Sequence, residues 1–382
     1  MPLLIASLFQ GAVFWYAVEK LFMTEIGFTA ATIGVMVAIM SAVMIIVETP
    51  SGILADRWSR KGVMILGTVA LLLSGVIGAL SFNEVTFIVS TIFWGIFAAL
   101  YSGTYDAAVY DTVIEEEGSS KGYPKYLGFL QAVEGLAFIV GALAGGLIAA
   151  NLGLRETFIF SLPLIVMSIY FLLRFKEPSL HKMEVSEPVF AHIRQTFAAV
   201  LKNRFLLPVI VAIIGFAVIQ ETIFEFSQLW FIALATPIVL FGVISATVFS
   251  TWTAGGLIAP FFNSRTRIFV ACLVLLVALA GLALSQNYWL TLAVQFTIGL
   301  LMIAFGVILS KKMHDQLPSK LRAGSSSVIS TIARFILIPL SLVLTFVAQA
   351  SDIFAASWML LGIGIISVIA FLAVKDSAKL AS

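Results

Sequence analysis

The stretch GILADRWSRK, residues 52–61, stands between two long apolar segments, and it decides how the rest of the chain is interpreted. The flanking segments, near 30–54 and 63–82, are long enough to cross a bilayer, which needs about 20 predominantly apolar residues. Three cations of the stretch, Arg57, Arg60 and Lys61, therefore lie in a short loop between two predicted membrane spans. A cationic short loop of this kind is typical of the cytoplasmic side.

Outward from this loop, apolar segments of similar length recur along the whole chain. Hydrophobic residues make up 61% of the 382 and charged residues only 11%, and the mean hydropathy is +1.09. A soluble domain carries about a quarter charged residues, so the composition excludes a water-soluble fold. We predict an all-α membrane protein of 12 transmembrane helices in two pseudo-symmetric six-helix halves. The spans are placed near 3–25, 30–54, 63–82, 86–112, 126–150, 156–174, 205–231, 236–262, 268–285, 289–310, 323–350 and 353–374.

One long polar segment divides these spans into two groups of six. We expect residues 1–174 to form an N-terminal half and residues 205–382 a C-terminal half. The polar segment 175–204 is the predicted cytoplasmic linker, and within it 190–202 has the pattern of an amphipathic surface helix. The chain therefore contains both halves of a bundle in a single polypeptide, and we expect a monomer.

The distribution of Lys and Arg predicts the orientation in the membrane. All but three of the 22 cations lie in segments that share one side of the predicted bundle, the exceptions being Lys20, Arg155 and Arg334. Because Lys and Arg of short loops are retained in the cytoplasm, both termini are predicted to be cytoplasmic. We expect a multi-pass protein of the cell (plasma or inner) membrane.

A weak internal repeat relates the two predicted halves. At a single offset of 204 residues, three features of the first half fall on corresponding spans of the second half. A parallel repeat of this kind is known in some transporters. The matching features are 52–55 with 256–259, Gly95 with Gly299, and Asp111 with Asp315.

The stretch 52–61 resembles the signature loop of the major facilitator superfamily, Gly-x-Leu-Ala-Asp-Arg-x-Gly-Arg-Arg/Lys, with Ser59 in place of the usual glycine. The arrangement of six spans, a linker and six spans extends the resemblance over nearly the whole chain. The resemblance implies the fold of that superfamily and alternating access around a central site formed mainly by spans 1, 4, 7 and 10. It also implies that Arg60 pairs with the carboxylate at the foot of span 4, here Asp111.

The same resemblance implies a conformational latch at the cytoplasmic end of the first half. Gly52 is expected to permit close helix packing, and Asp56 can face a helix N-terminus, where negative charge is stabilised. A purely topological role of the cations, which holds the loop inside, is the alternative. The latch candidates are Gly52, Asp56, Arg57, Arg60 and Asp111.

Two patterns of the superfamily's efflux members are only partly present. Residues 141–146 (GALAGG) are similar to the antiporter motif Gly-Pro-x-x-Gly-Gly, but Ala142 stands where proline is expected. A packing seam of small residues between helices is the alternative interpretation of this stretch. In span 4 the efflux members carry an arginine four residues before a glycine, whereas here Thr91 precedes Gly95.

Ionisable residues inside the spans are the candidates for the transport site, because burying a charge in a membrane is costly and usually functional. Glu221 and Glu225 are four residues apart and share one helix face. Arg334 lies roughly 18 Å from the cytoplasmic end of its span at 1.5 Å per residue, and depth alone makes Glu134 or Asp106 its expected partner. The candidates for a proton-coupling or substrate cavity are Glu134, Glu221, Glu225, Arg334, Asp106, Glu19, Tyr105 and Trp15.

Some of these residues have simpler interpretations that stay open. Glu19 can form an interfacial pair with the adjacent Lys20, and Asp106 can brace an inner gate together with Asp111. The aromatic candidates Trp15 and Tyr105 can be packed or face lipid instead of lining a cavity.

The motifs that are absent narrow the function. The sequence contains no Gly-x4-Gly-Lys-Ser/Thr loop, no His-Glu-x-x-His and no Cys/His metal spacing, so we predict neither an enzyme nor a cofactor. A net charge of +2 gives no basis for binding nucleic acid. The leading hypothesis is a secondary transporter for proton-coupled export of amphipathic or cationic small molecules. The alternatives are a proton symporter for uptake of a sugar or organic acid, with Arg334 binding the substrate, and a non-transporting receptor or scaffold.

Overall fold

A computed structural model describes residues 2–178, 206–315 and 319–374, and within these ranges the chain is helical without strands. Eleven helices are long and apolar enough to cross a membrane, and one bent pair of shorter helices makes a twelfth. The prediction of an all-α protein with 12 spans is therefore confirmed. The predicted amphipathic helix at 190–202 lies outside the described residues.

The helices are numbered α1 to α14 in chain order. In the N-terminal part they are α1 (Pro2–Gly11), α2 (Glu19–Glu25), α3 (Ala30–Arg57), α4 (Arg60–Leu80), α5 (Glu84–Tyr101), α6 (Thr104–Glu117), α7 (Tyr123–Asn151) and α8 (Leu154–Arg174). In the C-terminal part they are α9 (Leu207–Ala233), α10 (Ile238–Ile258), α11 (Arg265–Leu284), α12 (Tyr288–Asp315), α13 (Ser319–Ala350) and α14 (Ile353–Ala373).

The described chain separates into two compact units. Unit 1 contains residues 2–178 together with 235–250, and unit 2 contains 206–234 together with 251–374. The first half of α10 is therefore part of unit 1 by compactness, while its second half belongs to unit 2. The grouping of spans into two halves of six, with a boundary at the linker, stays a prediction.

The first predicted span is broken in the middle. Between α1 and α2 lies a short 3₁₀ turn, Trp15–Ala17, and the two parts of the span are bent by 42°. Backbone groups released by such a break need partners, because the hydrocarbon core contains no water. Two serines supply them: Ser161 Oγ accepts from the Phe14 N–H at 2.9 Å, and Ser245 Oγ donates to the Ala17 carbonyl at 3.2 Å.

The glycines of 141–146 pack closely against this broken segment and against α10. A Cβ on Gly141 would lie 2.8 Å from the carbonyl carbon of Ala12, and one on Gly145 would overlap the Phe14 carbonyl oxygen. On the next face of α7, a Cβ on Gly146 would lie 2.6 Å from the Gly242 Cα. This geometry supports the packing interpretation of the stretch, because side chains larger than hydrogen do not fit between these backbones.

The fourth span is also broken, at Ser102 and Gly103. The chain leaves α5 with the Ser102 N–H bonded to the Ala98 carbonyl and enters α6 with the Ala107 N–H bonded to the Gly103 carbonyl. Gly103 has φ +74°, a left-handed conformation that glycine adopts without steric penalty. The predicted continuous helix over 86–112 is therefore two helices, α5 and α6.

Helices α4 and α8 are antiparallel. Each has a cation near its N-terminus that binds carbonyls at the C-terminal end of the other helix. Lys61 Nζ donates to the Leu173 carbonyl at 2.8 Å. At the opposite end, Arg155 donates to the carbonyls of Ala79 and, at 2.7 Å, Ser81. Cations that satisfy the last carbonyls of a helix are favoured by its dipole. Arg155, the lone cation predicted on the outer side, therefore has a structural role.

The offset of 204 residues has a structural counterpart in the two units. In unit 1 a Cβ on Gly95 of α5 would lie 3.2 Å from the Val43 side chain of α3. In unit 2 a Cβ on Gly299 of α12 would lie 2.9 Å from the Thr251 side chain of α10. In both units a glycine of the fourth span of a set of six packs against the second span, as the repeat predicts.

The contact of Gly145 with the Phe14 carbonyl generates a stability prediction. We expect Gly145→Ala to lower the free energy of unfolding by about 1–3 kcal/mol, because the added methyl group forces two backbones apart. Gly128→Ala on the same helix is the control, since no atom lies within 4 Å of a Cβ there. Thermal denaturation in detergent measures both variants, and equal melting temperatures would contradict the packing role.

Candidate functional site

Glu134 of α7 is the acidic side chain around which unit 1 arranges several polar groups. Its Oε1 accepts a hydrogen bond from the Tyr101 hydroxyl at 3.1 Å, and Asp106 lies within electrostatic range. The side chain is half-buried, and in the described part of its own unit it has no salt-bridge partner. A carboxylate in this setting can bind a proton or a cation.

The two helix breaks of unit 1 flank this carboxylate. Gly11, the last residue of α1, packs against Glu134. A Cβ on Gly11 would lie 3.1 Å from the Glu134 carbonyl oxygen and 3.6 Å from the Glu134 Cγ. Tyr101, the last residue of α5, contacts the Glu134 carboxylate through its hydroxyl. Its ring stacks on that of Tyr105, with ring centroids 4.9 Å apart. The Tyr105 hydroxyl donates to the Leu3 carbonyl at 3.2 Å, so Tyr105 positions the ring of Tyr101.

Aromatic side chains complete the surroundings of Glu134. Tyr16, in the break of the first span, is within electrostatic range of Glu134 and accepts a hydrogen bond from Trp94 Nε1 at 3.4 Å. Its ring packs on Phe138 at 5.8 Å, and Phe138 packs on Phe249 at 5.2 Å. Aromatic faces beside a carboxylate are suited to an organic cation, which both groups attract.

Two of the candidates in the first span have other partners. Trp15 is 1% exposed and stacks on Phe158 at 4.9 Å, so it packs in the core, and the adjacent Tyr16 is the aromatic residue near Glu134. Glu19 accepts from Lys20 Nζ at 2.6 Å, as the pairing interpretation predicted. Consecutive helical residues point in different directions, and the sequence alone did not distinguish Trp15 from Tyr16 in this respect.

Unit 2 contains a second acidic group and the deep arginine. Glu221 of α9 lies within electrostatic range of Arg334 of α13. Depth along the spans suggested Glu134 or Asp106 as the partner of Arg334, and that pairing stays a prediction. Glu225 is half-buried one turn further along α9.

Polar residues that the sequence analysis did not single out also lie in these two units. Gln295 of α12 is 1% exposed and donates to the Ser227 carbonyl of α9 at 3.5 Å. Gln10 of α1 donates to Thr68 Oγ1 of α4 at 2.8 Å. Among the described residues, no group of three or more His, Cys, Asp or Glu side chains could hold a metal ion.

The predicted contact between Arg60 and Asp111 is present in unit 1. Arg60 donates to the Asp111 carboxylate and, at 2.7 Å, to the Ala107 carbonyl of the same helix, α6. Both side chains of the pair are mostly buried. The contact therefore joins the start of α4 to the middle of α6, and its role as a latch stays a prediction.

Ser59, which replaces the usual glycine of the signature loop, has a local role. Its Oγ accepts from the Gly62 N–H at 2.8 Å as an N-cap of α4. It also donates to the carboxylate of Glu177 at 2.6 Å, and Glu177 accepts from the Lys61 N–H at 3.2 Å. The sequence analysis missed Glu177, although a carboxylate at a helix N-terminus is a favourable arrangement.

The remaining latch candidates are less constrained by the structure. Among the described residues no atom lies within 4 Å of a Cβ at Gly52, and the expected role of Gly52 in helix packing and in the latch stays a prediction. Arg57 is exposed. The side chain of Asp56 lies outside the described part of the structure.

The Arg60–Asp111 contact generates a conformational prediction. We expect Asp111→Asn to weaken a contact that contributes about 1 kcal/mol, which changes a two-state population about fivefold. A cysteine at the half-buried Ala107, introduced after Cys272→Ala, should react faster with a membrane-impermeant maleimide in Asp111→Asn. Glu116→Gln, an exposed change on the same helix, is the control, and an unchanged rate in Asp111→Asn would contradict the latch.

Comparisons with known proteins agree with this fold. Residues 1–340 match the family described as the Major Facilitator Superfamily. The solved structure of the nucleoside transporter NupG has a TM-score of 0.79 at 16% identity and covers 98% of both chains. That of a D-xylose-proton symporter has a TM-score of 0.73 at 14% identity, covering 99% of this chain and 97% of the other.

A curated relative is "Multidrug resistance protein 2" of Bacillus subtilis (strain 168), 32% identical over 140 residues. That match spans 37% of this chain and 34% of the relative, about a third of its length. The structural neighbours are below 25% identity and show the fold alone, whereas the family match covers most of the chain. The chain is therefore a multi-pass membrane protein with a transporter fold, and it belongs to the major facilitator superfamily.

Proposed function

We propose that the chain is a secondary transporter that exports amphipathic or cationic small molecules in exchange for protons, by alternating access. The observation that carries the proposal is the environment of Glu134: a half-buried carboxylate inside a span, held by a tyrosine hydroxyl and surrounded by aromatic rings. The partial match to a multidrug resistance protein supports the export direction.

Exchange follows from competition for one negative charge. When Glu134 carries a proton it is neutral and does not attract a cation, and when a cationic substrate pairs with the carboxylate the proton is released. A single carboxylate therefore binds a proton or a cationic substrate in alternation. Each ligand shifts the conformational equilibrium only by its different affinity for the two states, so the gradient of one drives the other.

The aromatic rings near Glu134 define the expected substrate class. Tyr16 and Phe138 offer π faces that attract cations and apolar surfaces that accept flat hydrophobic groups. Lipophilic cations with aromatic rings are therefore the favoured substrates.

One observation favours the alternative of proton-coupled uptake of a small nutrient. Arg334 is a deep cation, and an organic acid could compete with Glu221 for it. In the export proposal the same Glu221–Arg334 pair is internally neutralised and lowers the cost of two charges in the membrane. The two functions therefore differ in whether the acidic site of unit 1 or the cation of unit 2 binds the substrate.

The further partners follow from this proposal. Protons are the coupling ion, the bilayer is the solvent, and neither a cofactor nor a catalytic reaction is required. We infer that a monomer is sufficient, since one chain contains both units, and that both termini face the cytoplasm, as the positions of Lys and Arg indicate.

Substrate-driven proton flux in proteoliposomes tests the proposal. We expect lipophilic cations to drive proton movement that a pH-sensitive dye inside the vesicles reports. Glu134→Gln should reduce this flux to the level of protein-free vesicles, because the glutamine cannot bind a proton or pair with a cation.

The matched control for this experiment is Glu84→Gln. Glu84 is also half-buried but lies at the first residue of α5, where it accepts from Thr32 Oγ1 at 2.9 Å, so its flux should remain that of the wild type. Flux driven only by organic acids or sugars would support uptake and contradict export. No flux with any compound would contradict proton coupling.

A further inference from the structure

We infer that Tyr101 is a positioning residue that transmits the charge state of Glu134, through the helix break that follows it, to the Arg60–Asp111 contact. The inference rests on the proposed role of Glu134 as the proton site. It assigns to the Ser102–Gly103 break a function in the transport cycle, the coupling of the site to the inner end of unit 1.

The first step is the hydrogen bond between Tyr101 and Glu134. The Tyr101 hydroxyl is 3.1 Å from Glu134 Oε1, and its ring is held between Phe97 and Tyr105, with centroids 5.5 Å and 4.9 Å away. A hydroxyl bonds more strongly to an ionised carboxylate than to a neutral one. Protonation of Glu134 therefore weakens the force that holds the end of α5 against α7.

The second step is the repulsion between Glu134 and Asp106. Asp106 lies in the first turn of α6 and within electrostatic range of Glu134. The other titratable groups near Glu134 in the described part of unit 1 are the hydroxyls of Tyr16, Tyr101 and Tyr105. While Glu134 is ionised it attracts the Tyr101 hydroxyl on α5 and repels Asp106 on α6, and protonation removes both forces.

The third step is the break between α5 and α6, which lets these opposite forces act on two separate helices. Gly103 has φ +74°, and no atom of the described residues lies within 4 Å of a Cβ there. The glycine is therefore required by its backbone conformation and not by lack of space. In a continuous helix Tyr101 and Asp106 would move together as one rigid unit. At this junction the angle between α5 and α6 can change.

The fourth step is the rigid connection from the break to the latch. Both groups that bind Arg60, the Ala107 carbonyl and the Asp111 carboxylate, belong to α6. Arg60 itself starts α4, which Lys61 and Arg155 bind to α8 at both ends. A rotation of α6 about Gly103 therefore moves both of these groups relative to Arg60, because α4, which carries Arg60, is held against α8.

The distance between spin labels at Glu116 and Leu173 tests the inference. Both positions are exposed, they lie on α6 and at the end of α8, and the labels are attached to cysteines introduced after Cys272→Ala. The full chain in lipid nanodiscs is measured at about pH 6 and about pH 8, between which carboxylates on a protein surface stay ionised. We expect the wild-type distance distribution to differ between the two pH values.

Two variants distinguish the proton-binding role of Glu134 from the proposed role of Tyr101 in transmitting its charge state. Glu134→Gln should give one pH-independent distribution, because its charge state cannot change. Tyr101→Phe keeps both ring contacts and loses only the hydroxyl, and we expect its pH response to fall to less than half of that of the wild type. Tyr110→Phe, the same change on α6 at a ring that contacts Tyr123, should keep the full response.

A third variant tests the break itself with the Tyr101 hydroxyl intact. Gly103→Ala disfavours the left-handed backbone without a steric clash, and we expect it to suppress the pH response as well. Gly128→Ala, at a position with open space in α7, should respond like the wild type.

The outcomes distinguish a failure of the proposed proton site from a failure of the proposed coupling through Tyr101 and Gly103. A response that persists in Glu134→Gln, or a wild type without a response, would contradict the proposed proton site and the inference together. A response that requires Glu134 but is unchanged in Tyr101→Phe and Gly103→Ala would overturn the inference alone.

Discussion

The lack of water in the hydrocarbon core is the constraint on which the rest of the structure depends. Every backbone N–H and carbonyl in that region needs a partner inside the protein, so each span forms a helix, and an interruption persists only where other groups satisfy it. In unit 1 the first span is interrupted at a point where Ser161 and Ser245 bind the released backbone groups. Small residues of α7 then approach this segment so closely that backbone packs on backbone.

Charged side chains of unit 1 supply partners for the unpaired backbone groups at the helix ends. Lys61 and Arg155 bind the last carbonyls of α8 and α4, and Glu177 accepts from the Lys61 N–H in the first turn of α4. These contacts make the α4–α8 pair a fixed frame. The two broken spans, by contrast, carry the polar groups around Glu134, the side chain that we propose to bind the proton.

The proposed function depends on how each charge inside the spans is neutralised. A carboxylate inside a membrane is costly unless it is paired or protonated. Glu221 has Arg334 within electrostatic range, and Glu19 has Lys20, whereas Glu134 has a hydroxyl, a second acidic group and aromatic rings. Of these three acidic residues, Glu134 is therefore the one whose charge a proton or a cationic substrate can neutralise, which is the requirement for exchange.

The sequence by itself determined the fold class, the positions of the spans and the expected orientation, because hydrophobicity and the positions of cations are local properties. It also indicated the Arg60–Asp111 contact, although only through resemblance to a family. The break at 12–18 (AVFWYAV) was not predictable, since this stretch is apolar and contains neither glycine nor proline. Only the tertiary structure decided that Glu221 lies within electrostatic range of Arg334, that Tyr16 and not Trp15 is near Glu134, and that Ser59 binds Glu177. Each of these contacts depends on which helices are neighbours and how each is rotated, and neither the depth of a residue in its span nor its chemical type contains that information.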